Sequence, residues 1–152
     1  PSTPHQRTVQ RIFLHLALHI EKNDLGEAFV APLDVILSDT NVVQPDVLFV
    51  SKERAHLVTD RGVEGTPDLI VEVLSEGNRR HDEVRKRKLY ARFEVAEYWI
   101  ADPALETIKV YRLADDGYER AAELSAEDGD ALTSPLLPGF SAALDTIFAG
   151  VR

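Results

Sequence analysis

Asp68-Leu69-Ile70-Val71-Glu72-Val73-Leu74-Ser75 is a short run of mainly apolar residues that contains one internal acid. A run of this length and composition is typical of a central strand that is covered on both faces of a sheet. Gly65-Thr66-Pro67 precedes the run and Glu76-Gly77-Asn78 follows it, and both are turn-forming segments. The sequence therefore predicts a buried central strand with Glu72 inside it.

Helical and strand patterns alternate on both sides of this strand. On the N-terminal side they predict a helix from Thr3 to just before Asn23, a hairpin of two strands at residues 28–37 and 42–50, and a helical turn within 51–64. On the C-terminal side they predict a helix over 79–93, strands at 98–101, 108–113 and around Tyr118, and a terminal helix over 141–148. This order favours an α/β or α+β sandwich in which helices flank a mixed sheet.

The composition limits the classes of protein to which the chain can belong. A length of 152 residues with 44% hydrophobic residues suits one domain, expected to span residues 1–152. The absence of cysteine excludes disulfides, thiolate zinc sites and a cysteine nucleophile. Because the chain has no apolar run of eighteen residues and no secretory signal pattern, we expect a cytoplasmic protein without a membrane partner. The chain has no methionine and begins at Pro1, so we expect that an N-terminal segment is missing from it.

Acids interrupt the apolar strand patterns at three positions. Burial of the Glu72 carboxylate is costly unless a cation accompanies it, and either an ion pair or a metal ion would meet that need. Asp46 follows Pro45 in the apolar run at residues 42–50, where proline marks an edge, bulge or kink. Asp34 is a third acid, and it is either a metal ligand or a surface residue. Since Mg²⁺ is commonly held by one or two carboxylates together with water and a substrate phosphate, Asp46 and Glu72 suffice for a divalent site.

The predicted helix at residues 79–93 is basic and carries one inward-facing cation. It contains seven Lys or Arg against two Asp or Glu, whereas the whole chain has a net charge of −9. At about 100° per residue, Lys86 lies on the same stripe as Tyr90, and Lys88 faces the opposite side. Lys86 could therefore stabilise charge on a phosphate, or it could pair with Asp82 or extend past the aromatic rings to solvent.

Four segments together resemble the PD-(D/E)XK restriction-endonuclease-like superfamily, and in particular its Uma-type family of bacterial endonucleases. They are residues 31–35 (APLDV), 43–50 (VQPDVLFV), 67–75 (PDLIVEVLS) and 97–102 (EYWIAD), and the resemblance extends from about His5 to Phe148. It implies a core of a helix, a three-stranded meander, a second helix and a further strand. The superfamily's usual lysine position, two residues after the glutamate, holds Leu74 here. The family's lysine instead falls on Lys86.

The resemblance implies a Mg²⁺- or Mn²⁺-dependent endonuclease that cleaves DNA and forms a homodimer. Its catalytic residues would be Asp46, Glu72 and Lys86, and its metal ligands would be Asp46, Glu72, the carbonyl of Val73 and Asp34, with Asp82 and Tyr90 in support. The arginines that would contact the DNA backbone are Arg79, Arg80, Arg85 and Arg87, unless this stretch is an ordinary solvated helix face. The alternative is a catalytically inactive dimeric module of the same fold, for binding or as a scaffold, whose acids form structural ion pairs.

The histidines of the first helix are expected to have no catalytic role. His5 stands where many members of the superfamily place an acid, and we interpret it as a helix-end residue. His15 and His19 have the i,i+4 spacing of a metal-binding pair, but no acid partner lies in that segment, so we interpret them as surface residues. Tyr98 and Trp99 are expected in the core or at a dimer contact.

Overall fold

The secondary structure follows from a computed structural model that describes residues 2–75 and 79–152, without the side chains of residues 79–81. The helices are α1 (Thr3–Lys22), α2 (Arg79–Arg92) and α3 (Leu144–Phe148), with a 3₁₀ helix at Lys52–Leu57. The first six strands are β1 (Gly26–Val30), β2 (Val35–Ser38), β3 (Asn41–Val43), β4 (Val47–Ser51), β5 (Val58–Thr59) and β6 (Gly62–Val63). The others are β7 (Leu69–Val73), β8 (Glu97–Asp102), β9 (Thr107–Ala114), β10 (Gly117–Ser125), β11 (Ala131–Leu132) and β12 (Ala142–Ala143).

A six-stranded mixed sheet organises the fold, in the order β1-β4-β7-β8-β9-β10. The strands β7 and β8 are parallel and are connected through α2, whereas the other neighbouring strands pair antiparallel. All five residues of β7 are buried, so the predicted central strand around Glu72 is confirmed. The predicted class, a mixed sheet flanked by helices, is confirmed as well.

The two faces of this sheet are covered by different helices. Along β7, Leu69, Val71 and Val73 pack on the face covered by α1 and α3. Ile70, on the other face, packs with Tyr90 of α2. Side chains alternate across a strand, so Glu72 shares the α2 face with Ile70. The polar residue of the central strand is therefore directed towards the basic helix.

The predicted hairpin of two long strands at residues 28–37 and 42–50 is wrong in its extent. Each run forms two strands, and β1 and β4 belong to the six-stranded sheet, whereas β2 and β3 belong to a four-stranded sheet ordered β3-β2-β6-β5. The breaks contain Pro32 and Pro45, which cannot donate a ladder hydrogen bond. Asp34 and Asp46, which were expected inside strands, lie at these breaks. The turn itself is confirmed, since Ser38 pairs with Asn41.

Short elements account for the remaining differences. The helical turn expected within residues 51–64 is confirmed as the 3₁₀ helix. The terminal helix is shorter than the predicted 141–148, because Ala142–Ala143 form a strand with Ala131–Leu132. Strands of two residues leave no periodic pattern in a sequence, which explains why β5, β6, β11 and β12 were missed. Within the described ranges, no helix is both long and apolar enough to cross a membrane.

Candidate active site

The register of β4 against β7 brings two acids together at one end of this strand pair. The last ladder pair at this end joins Val47 to Val71, so the next position on each strand is Asp46 and Glu72. Asp46 and Glu72 lie just beyond the paired residues, and both side chains line one cleft. The Val73 N–H donates to Asp46 Oδ2 at 2.7 Å, so the aspartate side chain continues the contact between the strands after the ladder ends.

Helix α2 covers the glutamate with one cation and one hydroxyl. The Tyr90 O–H donates to Glu72 Oε2 at 2.7 Å, and Lys86 Nζ lies 3.3 Å from the same oxygen. Lys86 Nζ is also 3.4 Å from Asp82 Oδ2, so the lysine bridges two acids. Lys88 is exposed, as the helical spacing predicts. The structure thus brings together Asp46, Glu72 and Lys86 from three separate segments of the chain.

These groups line a cleft of about 480 Å³. Its lining residues are His5, Gln44, Asp46, Glu72, Val73, Leu74, Ser75, Asp82, Glu83, Lys86 and Tyr98. Most are polar, and four are acids, so the cleft suits a cation or a cation-bound phosphate better than an apolar ligand. Leu74 and Glu83 also line a larger neighbouring cleft of about 830 Å³, which extends over Lys109 and Tyr111.

The two partners of the Glu72–Lys86 ion pair differ in the direction in which their surroundings favour the charged form. Burial raises the pKa of Glu72, and repulsion from Asp46 raises it further. The charge of Lys86 and the hydrogen bond from Tyr90 lower it, but they do not outweigh burial, and the pKa is about 7. For Lys86, burial acts to lower the pKa, but Glu72 and Asp82 together outweigh it and hold the pKa above its ordinary value. Lys86 is therefore a permanent cation near neutral pH, whereas Glu72 is a carboxyl group whose negative charge is not fully compensated.

The donor set fits a hard divalent cation. The described contacts of the two acids use one oxygen each, Asp46 Oδ2 and Glu72 Oε2, so Oδ1 and Oε1 have no described partner. Within residues 2–75 and 79–152, no cluster of three or more His, Asp or Glu side chains has the arrangement of a metal site. Two carboxylate oxygens without a described partner are ligands of the kind that Mg²⁺ uses together with water and substrate oxygens.

Another buried acid, Glu97 in β8, shows how a structural carboxylate is arranged in this fold. Glu97 is 1% exposed, and its Oε1 accepts from Trp99 Nε1 at 2.9 Å. Its Oε2 accepts from Arg112 Nε at 3.2 Å and from Ser134 Oγ at 3.0 Å. Both oxygens of Glu97 are therefore occupied, and a full guanidinium charge compensates it. Glu72 differs in having one unused oxygen and a second carboxylate opposite it.

The sequence and the fold have counterparts among known proteins. Residues 1–145 match the Uma2 family model, which is described as "putative restriction endonuclease". The chain belongs to the Uma2 family. The crystal structure of a "putative nuclease belonging to DUF820" from Anabaena variabilis superposes with a TM-score of 0.81 and 15% sequence identity, covering 100% of this chain and 84% of that chain. No curated protein matches the sequence.

The Uma2 match and the fold confirm the resemblance to restriction-endonuclease-like proteins that the four sequence segments indicated. The Anabaena protein shares the fold of this chain. At 15% sequence identity, the comparison assigns no role to individual residues of this chain. The name of the family and the nuclease fold support a nuclease. The substrate, the metal ion and the role of each residue stay predictions.

Asp34 is hydrogen-bonded to a side chain that lines the cleft. Its Oδ1 accepts from Gln44 Nε2 at 2.8 Å, and Gln44, not Asp34, lines the cleft. The backbone carbonyl of Asp34 accepts from Val63 N–H at 2.9 Å, which ties the break before β2 to β6. Asp34 therefore holds a side chain that lines the cleft, and its role as a metal ligand stays a prediction.

The arginines of α2 differ in their environment. Arg85 pairs with Asp82 at 3.0 Å and has a side chain that is 65% exposed. Arg87 donates to Tyr111 Oη at 3.0 Å and lies over the Tyr111 ring, in the neighbouring cleft. The side chains of Arg79 and Arg80 lie outside the described residues. Arg85 is therefore available at the surface, whereas Arg87 is held by an aromatic side chain.

His5 is one of the residues of the cleft that sequence reasoning missed. Its Nε2 lies 3.5 Å from Asp46 Oδ2, and its side chain is 13% exposed. Its place on the inward stripe of α1 could have indicated this, but only the packing of α1 shows which strand end it reaches. His19 instead contacts the Pro138 carbonyl through Nε2 at 2.9 Å, which gives it a structural role. Tyr98 and Trp99 are buried core residues, as expected.

Proposed function

We propose that this Uma2 protein is a Mg²⁺- or Mn²⁺-dependent endonuclease that hydrolyses DNA phosphodiester bonds. The observation that carries the proposal is the convergence of Asp46, Glu72 and Lys86 in one cleft, with Lys86 Nζ at 3.3 Å from Glu72. Two carboxylates beside a half-buried cation match the requirements of phosphodiester hydrolysis, in which negative charge develops on the phosphate. The family description and the nuclease fold support the same reaction class.

In this proposal, Asp46 and Glu72 hold the cation, and the carbonyl of Val73 adds an oxygen to them. The bound cation would polarise a phosphoryl oxygen and lower the pKa of a water molecule. The Val73 N–H and the Tyr90 O–H each fix one carboxylate oxygen, which leaves Asp46 Oδ1 and Glu72 Oε1 for binding. The Lys86 ammonium offsets the charge that develops on the scissile phosphate.

The substrate is proposed to approach over α2, whose segment 79–93 has a net charge of +5 in a chain of net charge −9. Arg79, Arg80, Arg85 and Arg87 are the proposed backbone contacts, of which Arg85 is the exposed one among the described side chains. Because such contacts release counterions from DNA, binding should weaken as salt concentration rises. A homodimer and a cytoplasmic location belong to the same proposal, and light scattering of the purified protein tests the first of these.

The decisive experiment uses covalently closed circular plasmid DNA in the presence of Mg²⁺ or Mn²⁺. An endonuclease converts this substrate to nicked or linear forms without needing a free end. Glu72→Ala and Lys86→Ala should each lower the rate by about 100-fold or more, because each removes a group that acts on developing charge. Lys88→Ala is the matched control, since Lys88 is an exposed lysine on the same helix, and it should cleave at close to the wild-type rate.

Circular dichroism of each variant establishes that the fold is retained. Cleavage that survives both the Glu72 and the Lys86 substitution would reject the assignment. Parallel assays on RNA and on a small phosphodiester distinguish a DNA nuclease from a hydrolase for another phosphoester.

The inactive binding or scaffold module remains the competing function, because Lys86 and Tyr90 already provide Glu72 with partners. Calorimetric titration with Mn²⁺ separates the two. A structural ion-pair network should bind no cation, whereas the proposed enzyme should bind one and should lose binding in Glu72→Ala.

A further inference from the structure

The first turn of α1 places an imidazole beside Asp46, the residue that precedes β4. The Ser2 hydroxyl caps the helix by accepting from the His5 N–H at 3.3 Å, and the Thr8 hydroxyl donates to the Pro4 carbonyl at 2.8 Å. One turn later, Val9 begins the buried stripe that packs α1 against the sheet. His5 is four residues before Val9 and so continues this stripe beyond the sheet, where it meets Asp46. The position of the imidazole is therefore fixed by helix packing.

The two nitrogens of His5 have different environments. Nε2 faces Asp46 Oδ2, whereas Nδ1 is buried and has no hydrogen-bond partner among the described residues. A proton on Nδ1 would be a buried donor without an acceptor, at a cost of about 1–3 kcal/mol, and Nε2 would then face the carboxylate with a lone pair. A proton on Nε2 instead points at a negatively charged oxygen. The geometry thus favours the tautomer in which Nε2 is the donor.

We propose that His5 is a positioning residue, whose Nε2–H donates to Asp46 Oδ2 and so fixes which aspartate oxygen faces the divalent cation. The inference rests on the proposed function of the cleft. With the Val73 N–H already on Oδ2 at 2.7 Å, a second donor on that oxygen holds the carboxylate plane and leaves Oδ1 towards the cleft. At 3.5 Å the His5 contact is longer than an ordinary hydrogen bond, and contacts of this kind commonly tighten in the loaded site.

A positioning role and direct ligation by His5 have different consequences for metal selectivity. As a ligand, His5 would need a lone pair on Nε2 and hence the buried Nδ1–H. A nitrogen ligand would favour Co²⁺ strongly over Mg²⁺, because imidazole binds later transition metals much better than Mg²⁺. As a donor to Asp46, His5 supports an oxygen site and should affect all divalent ions alike.

The test is calorimetric titration of wild-type protein, His5→Ala, His5→Gln and His15→Ala with Mg²⁺, Mn²⁺ and Co²⁺. His5→Ala should raise the Kd for all three cations by a similar factor of about 10 to 100, as is usual when a hydrogen-bond partner of a metal ligand is lost. His5→Gln should recover most of the affinity, since its side-chain amide can donate in place of Nε2–H. His15→Ala controls for loss of a histidine elsewhere on α1 and should bind like the wild type.

Unchanged affinity in His5→Ala would overturn the inference and leave the proposed function intact. A loss for Co²⁺ that far exceeds the loss for Mg²⁺ would replace it with direct ligation. Wild-type protein that binds no cation would reject the proposed function itself, and this inference with it. Nitrogen-15 NMR of the wild-type imidazole gives an independent readout if the alanine variant does not fold. It should show the Nε2–H tautomer, and an Nδ1–H signal would contradict the proposal.

Discussion

Replacement of Glu72 by glutamine should make the cation-free protein less sensitive to alkaline pH. In the folded protein the pKa of Glu72 is about 7, whereas its ordinary value is 4.5. Because the folded state holds this proton more tightly than the unfolded chain, the stabilising contribution is complete below about pH 4.5. It is lost as the pH rises through 7. Ionisation of this one carboxyl group should therefore reduce the free energy of unfolding of the wild type between pH 5 and pH 8.5.

The magnitude follows from the difference between the two pKa values. At 1.36 kcal/mol for each pKa unit, a rise from 4.5 to about 7 corresponds to roughly 3 kcal/mol. Glu72 is 7% exposed, so solvent screening removes little of this energy. Glutamine has similar size and no charge. It removes one of the two carboxylates beside Lys86 and leaves Asp82, at 3.4 Å, as the other. We therefore expect the gap between the two proteins to change by about 1–3 kcal/mol in favour of Glu72→Gln as the pH rises.

Urea denaturation in the presence of EDTA at pH 5 and pH 8.5 measures this change. All other titrating groups are the same in the wild type and the variant, so the difference in their free energies of unfolding reports on residue 72. Glu97→Gln is the matched control, because it alters a buried acid with both oxygens occupied. It should be destabilised at both pH values by loss of its partners. If Glu72→Gln and the wild type lost stability in parallel over this pH range, the argument that uncompensated charge is buried at Glu72 would be refuted.

Three further outcomes are expected. Addition of Mn²⁺ at 100 times its Kd should raise the free energy of unfolding of the wild type by about 2.7 kcal/mol, measured by urea denaturation, and should leave Glu72→Gln nearly unaffected. Tyr90→Phe should cost about 1–3 kcal/mol in the same assay, since it removes a donor from a buried carboxyl oxygen, and an unchanged midpoint would contradict the hydrogen bond. Gly62→Ala should cost more than about 1 kcal/mol, because Gly62 has φ +127° and an added Cβ would overlap the Asp34 carbonyl oxygen, with thermal denaturation as the measurement.

The parts of the site that were predictable from the sequence are those encoded in local periodicity. Glu72 stands out because it interrupts an apolar strand, and Lys86 because helical spacing places it on the stripe of Tyr90. Both signals lie within about ten residues of the group concerned. The spacing also separated Lys86 from Lys88, and the structure bears out that difference in exposure.

The parts that were not predictable depend on packing between distant segments. The runs at 28–37 and 42–50 each look like one strand, and only their division between two sheets shows that Asp46 lies at a break. His5 reaches Asp46 because α1 is packed along β4 and β7, a relation that the sequence of α1 does not contain. The pairing of Glu97 with Arg112 and Ser134 is likewise set by strand register and a distant loop.

Glu72 and Glu97 are both buried acids in adjacent parallel strands, but their negative charges are compensated to different degrees. Glu97 is compensated by an arginine and two neutral donors, so its charge is part of the stable structure. The charge of Glu72 is opposed by burial and by Asp46, and the favourable effects of Lys86 and Tyr90 do not cancel them. Because a divalent cation would compensate both carboxylates at once, its binding should offset the unfavourable free energy of ionising Glu72.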